Sequence, residues 1–321
     1  MVINVKVRDP GIYFGLDEDL YHADASCGST DMRNLWLGAP DYWWSSKFNP
    51  NRDEDGDDNT PARIRGSAMH RLVLEGETAF DREYARGPDH DSSMTPAEKG
   101  ALTKAANKKT AETGRTCLPA KAYDRVIVAS AMITRNPHLK TALTGGMSEV
   151  SIFWREKSPV QGEVPCKARI DFLKPRGLGD LKSITNIRKI EFKRACRDAI
   201  ANHRYDMQAA HYMRGRSHVV EFIADGCVHG DHDPNFLRKV AVERTFGFQF
   251  IFFQAAGAPS TFSTILSPAN PVIELASLDL DRALLSYVEY MKEFGSNQVW
   301  LDLSRPEELA IEELPAYFGR K

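Results

Sequence analysis

The sequence predicts an α/β protein, a mixed central sheet flanked by helices and preceded by a mainly helical N-terminal part. Three observations carry this. Ser148–Glu156 and Val164–Leu173 alternate apolar and polar residues with the period of a strand. Residues 62–75, 95–113 and 119–135, all upstream, read as helices. Downstream, helical and strand patterns succeed one another, the order expected of a sheet covered by helices.

Residues 48–61 are polar and turn-rich and read as a loop. In 62–75, Ile64, Met69, Leu72 and Val73 follow a helical period. A second loop spans 86–94, and Thr95-Pro96 with Glu98 opens the next helix. Val150, Ile152 and Trp154 mark one face of the first long strand. Val164, Cys166, Ala168, Ile170 and Phe172 mark one face of the second. Lys174-Pro175-Arg176-Gly177 is turn chemistry, and 178–183 is a third strand. Helices are predicted over 187–200 and 204–214, strands over 218–224 and 245–254. An amphipathic helix follows over 278–294, with Leu280, Ala283, Leu284, Tyr287, Val288 and Met291 on one face. No repeat interrupts this order. The expectation is one domain over 1–321: a helical part at 10–140, a core at 145–255, and a C-terminal helix and tail at 256–321.

The chain has 321 residues, 42% hydrophobic and 27% charged, the balance of an ordinary globular protein. No apolar run approaches the ~20 residues of a membrane span, and no secretory signal is evident, so a cytoplasmic location is expected. Five cysteines without a CxxC pair argue against a disulfide framework or zinc ribbon and for buried thiols. The formal net charge of −2 gives no general pull on nucleic acid. Cations nonetheless gather at Lys99–Arg125 and Lys182–Arg216, while acids collect at 53–58 and after Asp279. Alone, each basic stretch reads as a solvated helix face; distribution, not sum, decides.

The chemistry centres on Arg169-Ile170-Asp171 and Asp180-Leu181-Lys182. Asp180 and Lys182 lie on the same face of a strand, ~6–7 Å apart. A turn centred on Pro175-Arg176 pairs residues whose numbers sum to 351, which sets Asp171 opposite Asp180. Two facing carboxylates repel unless a cation lies between them, and Mg²⁺ favours such pairs together with water and phosphate oxygens. A surface hairpin with an Asp–Lys ion pair is the plainer alternative. Ile170, Phe172, Leu181 and Ile184 argue against a fully exposed one.

Asp171 with Asp180-Leu181-Lys182 resembles the signature of the PD-(D/E)xK nucleases. Further elements resemble the RecB-like branch: Gly66-x-x-x-His70, Glu149 on the strand before Asp171, and Gln208-x-x-x-Tyr212 on a helix. Gln208 and Tyr212 are spaced to share one helix face. Within the branch the chain is most similar to the RecE (exonuclease VIII) nuclease domain and phage relatives, over most of 10–255. Ile170 stands where the motif usually has proline, which touches strand geometry and not ligation. The resemblance implies a restriction-endonuclease-like core. It implies His70, Asp171, Asp180 and the Leu181 carbonyl as ligands of Mg²⁺ or Mn²⁺, with Glu149 serving a second ion or its waters. Lys182 would orient the attacking water, and Gln208 and Tyr212 would hold the DNA strand. It further implies a 5′→3′ exonuclease on double-stranded DNA ends that feeds recombination, a ring-shaped homo-oligomer, and a RecT-like annealing partner. The alternatives are a single-strand exonuclease, an endonuclease, or a non-catalytic DNA-binding protein that keeps the fold. Asp231-His232-Asp233 has metal-ligand chemistry but reads as an exposed loop.

Overall fold

A computed structural model describes residues 7–52, 60–254, 257–302, 304–314 and 318. The acidic stretch at 53–58 and half of the loop at 48–61 therefore lie outside the described residues. Seven strands form one mixed sheet in the order β7-β1-β4-β5-β6-β8-β9. They are β1 (Gly11–Tyr13), β4 (Met147–Lys157), β5 (Glu163–Lys174), β6 (Gly177–Ile184), β7 (Val228–His229), β8 (Gly247–Gln254) and β9 (Thr261–Leu266). The short parallel pair β2 (Tyr84–Arg86) and β3 (Thr116–Leu118) stands apart. This is the predicted mixed sheet between helices, the α/β architecture of restriction-endonuclease-like folds.

The hairpin register is the one the turn implies. Phe172 pairs with Gly179, Leu173 with Leu178 and Lys174 with Gly177, each summing to 351. β6 then runs parallel to β8. The alternation of β6 and β8 divides the interior. Leu178, Ile184, Phe248, Phe250 and Phe252 enter the larger core, against the helices Ser29–Leu37, Tyr205–Ser217 and Pro271–Phe294. Leu181, Ile251 and Phe253 enter a smaller core on the other face, with the helices Pro61–His70 and Ala120–Thr134.

β5 breaks its own alternation. Val164, Cys166, Ala168 and Ile170 enter the larger core as predicted, but the next residue to do so is Leu173 and not Phe172. The shift falls at Asp171. On β4, Glu149 lies between the ladder pairs Ser148↔Phe172 and Val150↔Ile170 and has φ 55°, the left-handed region that a non-glycine residue rarely adopts. The carboxylates therefore leave the sheet where its pleat is interrupted.

Three boundaries differ from the pattern. Residues 218–224 are a helix (Val219–Ala224) and not a strand. The branched run favours a strand locally, but the segment continues off Tyr205–Ser217 and buries Val219 and Phe222 at helical spacing. The helix expected from 187 begins at Phe192, because the Asn186 side chain bonds both Ile190 N–H (3.2 Å) and Ile190 C=O (2.6 Å) and closes a loop first. The C-terminal helix begins at Pro271, seven residues before the amphipathic stretch, where Asn270 caps Val272 N–H at 2.9 Å. In addition, β1 carries the N-terminal part into the main sheet. Buried Lys167 on β5 fastens the following segment, its Nζ donating to the carbonyls of Tyr21 (2.8 Å) and Asp24 (2.6 Å).

The five cysteines are free thiols, with Cys27, Cys166 and Cys196 buried. No helix among the described residues is long and apolar enough to cross a membrane.

Candidate active site

The Pro61–His70 helix starts with Pro61 behind a Thr60 cap (Thr60 Oγ1 accepts from Arg63 N–H at 3.3 Å) and ends at His70. A π-helical turn, Arg71–Glu75, follows at once. Such turns re-aim the side chains around them and recur at functional sites. His70 Nε2 lies 2.8 Å from the Leu181 carbonyl. A carbonyl only accepts, so Nε2 carries a proton, and in the neutral ring Nδ1 keeps its lone pair. Nδ1 is 3.6 Å from Asp171 Oδ2. A backbone carbonyl that fixes the tautomer in this way is the usual support of a metal-ligating histidine.

Where the hairpin ladder ends, Leu181 N–H donates to Asp171 Oδ2 at 2.8 Å. Asp171 is thus held by the backbone of the facing strand. Ligand atoms of His70, Glu149 and Asp171 all lie within 4.8 Å of one another. Burial first, and then the nearby Asp180 charge, push the Asp171 carboxyl up to about 7. Three ligand atoms gather here, and the N/O donor set suits a divalent cation such as Mg²⁺ or Mn²⁺.

Asp180 is buried and is held by other partners. Its Oδ2 is 2.7 Å from Lys182 Nζ, and its Oδ1 accepts from Gln208 Nε2 at 2.7 Å. It lies outside the His70–Glu149–Asp171 group. The Leu181 carbonyl, expected as a ligand, is engaged by His70. Burial opposes the charge on Lys182, but Asp180 and Asp171 outweigh it and hold the ammonium firmly protonated. Lys182 also lies 5.1 Å from the Tyr205 ring. Burial, reinforced by Asp180, raises the Tyr212 phenol, so it remains an O–H donor.

A pocket of about 360 Å³ opens over this group, lined by His70, Glu149, Asp171, Arg169, Tyr21 and Tyr212 among others. Gly66 is also in its wall, and a Cβ there would meet nothing within 4 Å. Sequence reasoning gave no site role to Arg169, Tyr21, Arg71 or Tyr84. Arg169 could have been found by strand alternation, two residues before Asp171. Arg71, adjacent to His70 and ion-paired to Glu75 and Glu83, could not.

Two other sequence features resolve as structure. Asp233 caps the Pro234–Val242 helix at Asn235 N–H (2.8 Å), and His232 stacks on Phe14 with ring centroids 5.3 Å apart. Scaffolding does adjoin that loop, and the loop serves it. His211 is buried with Nε2 at 3.0 Å from the Lys167 carbonyl, and burial holds its pKa down to about 4, a neutral core histidine.

The sheet, the Asp171–Asp180–Lys182 hairpin and the neighbouring histidine define a protein of the PD-(D/E)xK nuclease superfamily. The chain belongs to the family described as a PDDEXK-like domain of unknown function (DUF3799), whose model matches residues 47–223 and so takes in every candidate site residue. No curated relative matches it. Among solved structures it is similar to a "putative exonuclease" from Eubacterium rectale, at 14% identity and a TM-score of 0.47, over 86% of this chain and 88% of that one.

Proposed function

We propose that the protein is a metal-dependent exodeoxyribonuclease that degrades double-stranded DNA from its ends in the 5′→3′ direction and prepares them for annealing-based recombination. The observation that carries the nuclease reading is the convergence of His70, Glu149 and Asp171 beside a protonated Lys182. Mg²⁺ is the cation we assign, with Mn²⁺ as its substitute. When bound there it supplies Lewis-acid polarisation of the phosphate and a nucleophilic water.

The chain's own residues do the rest. His70 presents Nδ1 because Leu181 holds Nε2–H. Lys182, kept cationic by Asp180, neutralises charge building on a phosphate oxygen and steers the water without taking its proton. Gln208 ties Asp180 to the Tyr205–Ser217 helix, and Tyr212, one turn on, offers an O–H donor to the substrate strand.

The basic stretches support DNA binding unequally. The Pro96–Ala111 helix buries no residue and carries Lys99, Lys104, Lys108 and Lys109. It leads into β3, which pairs with Tyr84 at the pocket wall. In the second stretch, three arginines are spent within the fold. Arg204 pairs with Asp206 and Asp279, and Arg214 with Asp281. Arg216 is buried and donates to the Val240 carbonyl at 2.7 Å. The ring-shaped homo-oligomer and RecT-like partner belong to this proposal through the RecE resemblance. The test is Mg²⁺-dependent digestion of a linear duplex labelled at one end, beside a closed circle. Loss of label from 5′ ends and an intact circle are expected; equal cleavage of the circle overturns the exonuclease assignment.

A further inference from the structure

Arg169 lies on β5 two residues before Asp171, so both side chains leave the strand on one side until the pleat is interrupted. Its Nε donates to Glu149 Oε2 at 2.6 Å, and its Nη1 donates to the Leu16 carbonyl at 2.8 Å. The guanidinium sits 5.9 Å from the Tyr21 ring. It is therefore anchored on two sides by the N-terminal segment and grips Glu149 with the edge left over. Glu149 needs a grip. Its backbone sits at φ 55°, and its side chain is a quarter exposed (26%), so neither backbone preference nor packing fixes its carboxylate.

We propose that Arg169 is a positioning residue, which aims the Glu149 carboxylate at the ligand group formed with His70 and Asp171. This rests on the metal-site reading above. Two physical effects of the arginine oppose each other. As a positive charge beside the acids it weakens cation binding; as a two-point clamp it organises a ligand and strengthens binding. In the positioning role the second effect wins, which fixes the sign of the test. Lysine keeps the charge but cannot hold Glu149 and the Leu16 carbonyl together in the same planar geometry.

Mn²⁺ binding by calorimetry on the full chain reads this directly, with thermal midpoints recorded to confirm folding. Arg169→Gln and Arg169→Lys should each weaken Mn²⁺ binding by about tenfold, the scale of losing a residue that orients a ligand. In a Glu149→Gln background, Arg169→Gln should cost nothing further. Unchanged or tighter binding in Arg169→Gln overturns the role, since removal of a cation alone predicts tighter binding. A full tenfold loss that persists in the Glu149→Gln background also overturns it, because the arginine would then not act through Glu149. If wild-type protein binds no Mn²⁺, the metal reading falls and the role of Arg169 with it. Binding lost in Asp171→Asn but untouched in Arg169→Gln removes only the latter.

Discussion

Asp171 is held at cross purposes. Its backbone anchor on Leu181 N–H favours the carboxylate, while burial and Asp180 push the carboxyl up to about 7, against a usual value near 4. The sign follows. Below pH 4 the group is protonated folded and unfolded, and contributes no penalty. As pH rises the unfolded chain ionises first, so the metal-free fold loses stability until pH passes about 7. The loss approaches about 4 kcal/mol as an upper bound. Asp171→Asn should abolish cleavage yet raise the urea midpoint at pH 8 in EDTA, with a smaller gain at pH 5. A lower midpoint at pH 8 would contradict this account of the carboxylate. Cation affinity should likewise climb as pH rises towards 7 and flatten above it, because binding must displace that proton. Asp180→Asn behaves oppositely. It leaves the Lys182 ammonium, only 19% exposed, without its charge partner, and should cost about 3–5 kcal/mol in urea denaturation as well as activity.

At the scale of elements, helix and sheet meet closely beside the site. A Cβ on Gly215, in the Tyr205–Ser217 helix, would lie 2.8 Å from the fully buried Trp154 ring of β4. Helix propensity favours alanine over glycine by about 1 kcal/mol. Overpacking against a ring that cannot retreat costs about 1–3 kcal/mol. Gly215→Ala should therefore be neutral to destabilising in denaturant melts, and a clear gain in stability would show that the helix can shift. The Pro96–Ala111 helix is the opposite case. With nothing buried, Lys104→Glu with Lys108→Glu should leave stability within about 0.5 kcal/mol. The same pair should weaken duplex binding and flatten its salt dependence by about 2 in log–log slope, read by fluorescence anisotropy across a salt series. An unchanged slope would remove this helix from the DNA surface.

Across the whole molecule, the parts legible in the sequence are those set by local rules. The hairpin register followed from the turn, and the long strands and the helices of ten residues or more followed from their periods. His70, some hundred residues before Asp171, was legible only through the family pattern, since nothing local tells a ligand from a core histidine. Other features depend on contacts distant in sequence. The helix at 219–224 is fixed by the helix before it. The spent charges of Arg204 and Arg214 are fixed by acids more than sixty residues downstream. The break in pleat at Glu149 and Asp171 has no signature in one-dimensional alternation. The fold therefore brings together, at one interruption of a seven-stranded sheet, residues drawn from Pro61–His70, β4, β5 and β6. The most direct test is hydrolysis of an end-labelled DNA duplex by the full chain, with Mg²⁺ and with EDTA, beside Asp171→Asn. Phosphodiester cleavage that requires both the cation and Asp171 is the predicted result. Cleavage that survives EDTA or the substitution, or its absence from wild-type protein with Mg²⁺ and Mn²⁺ alike, would contradict it.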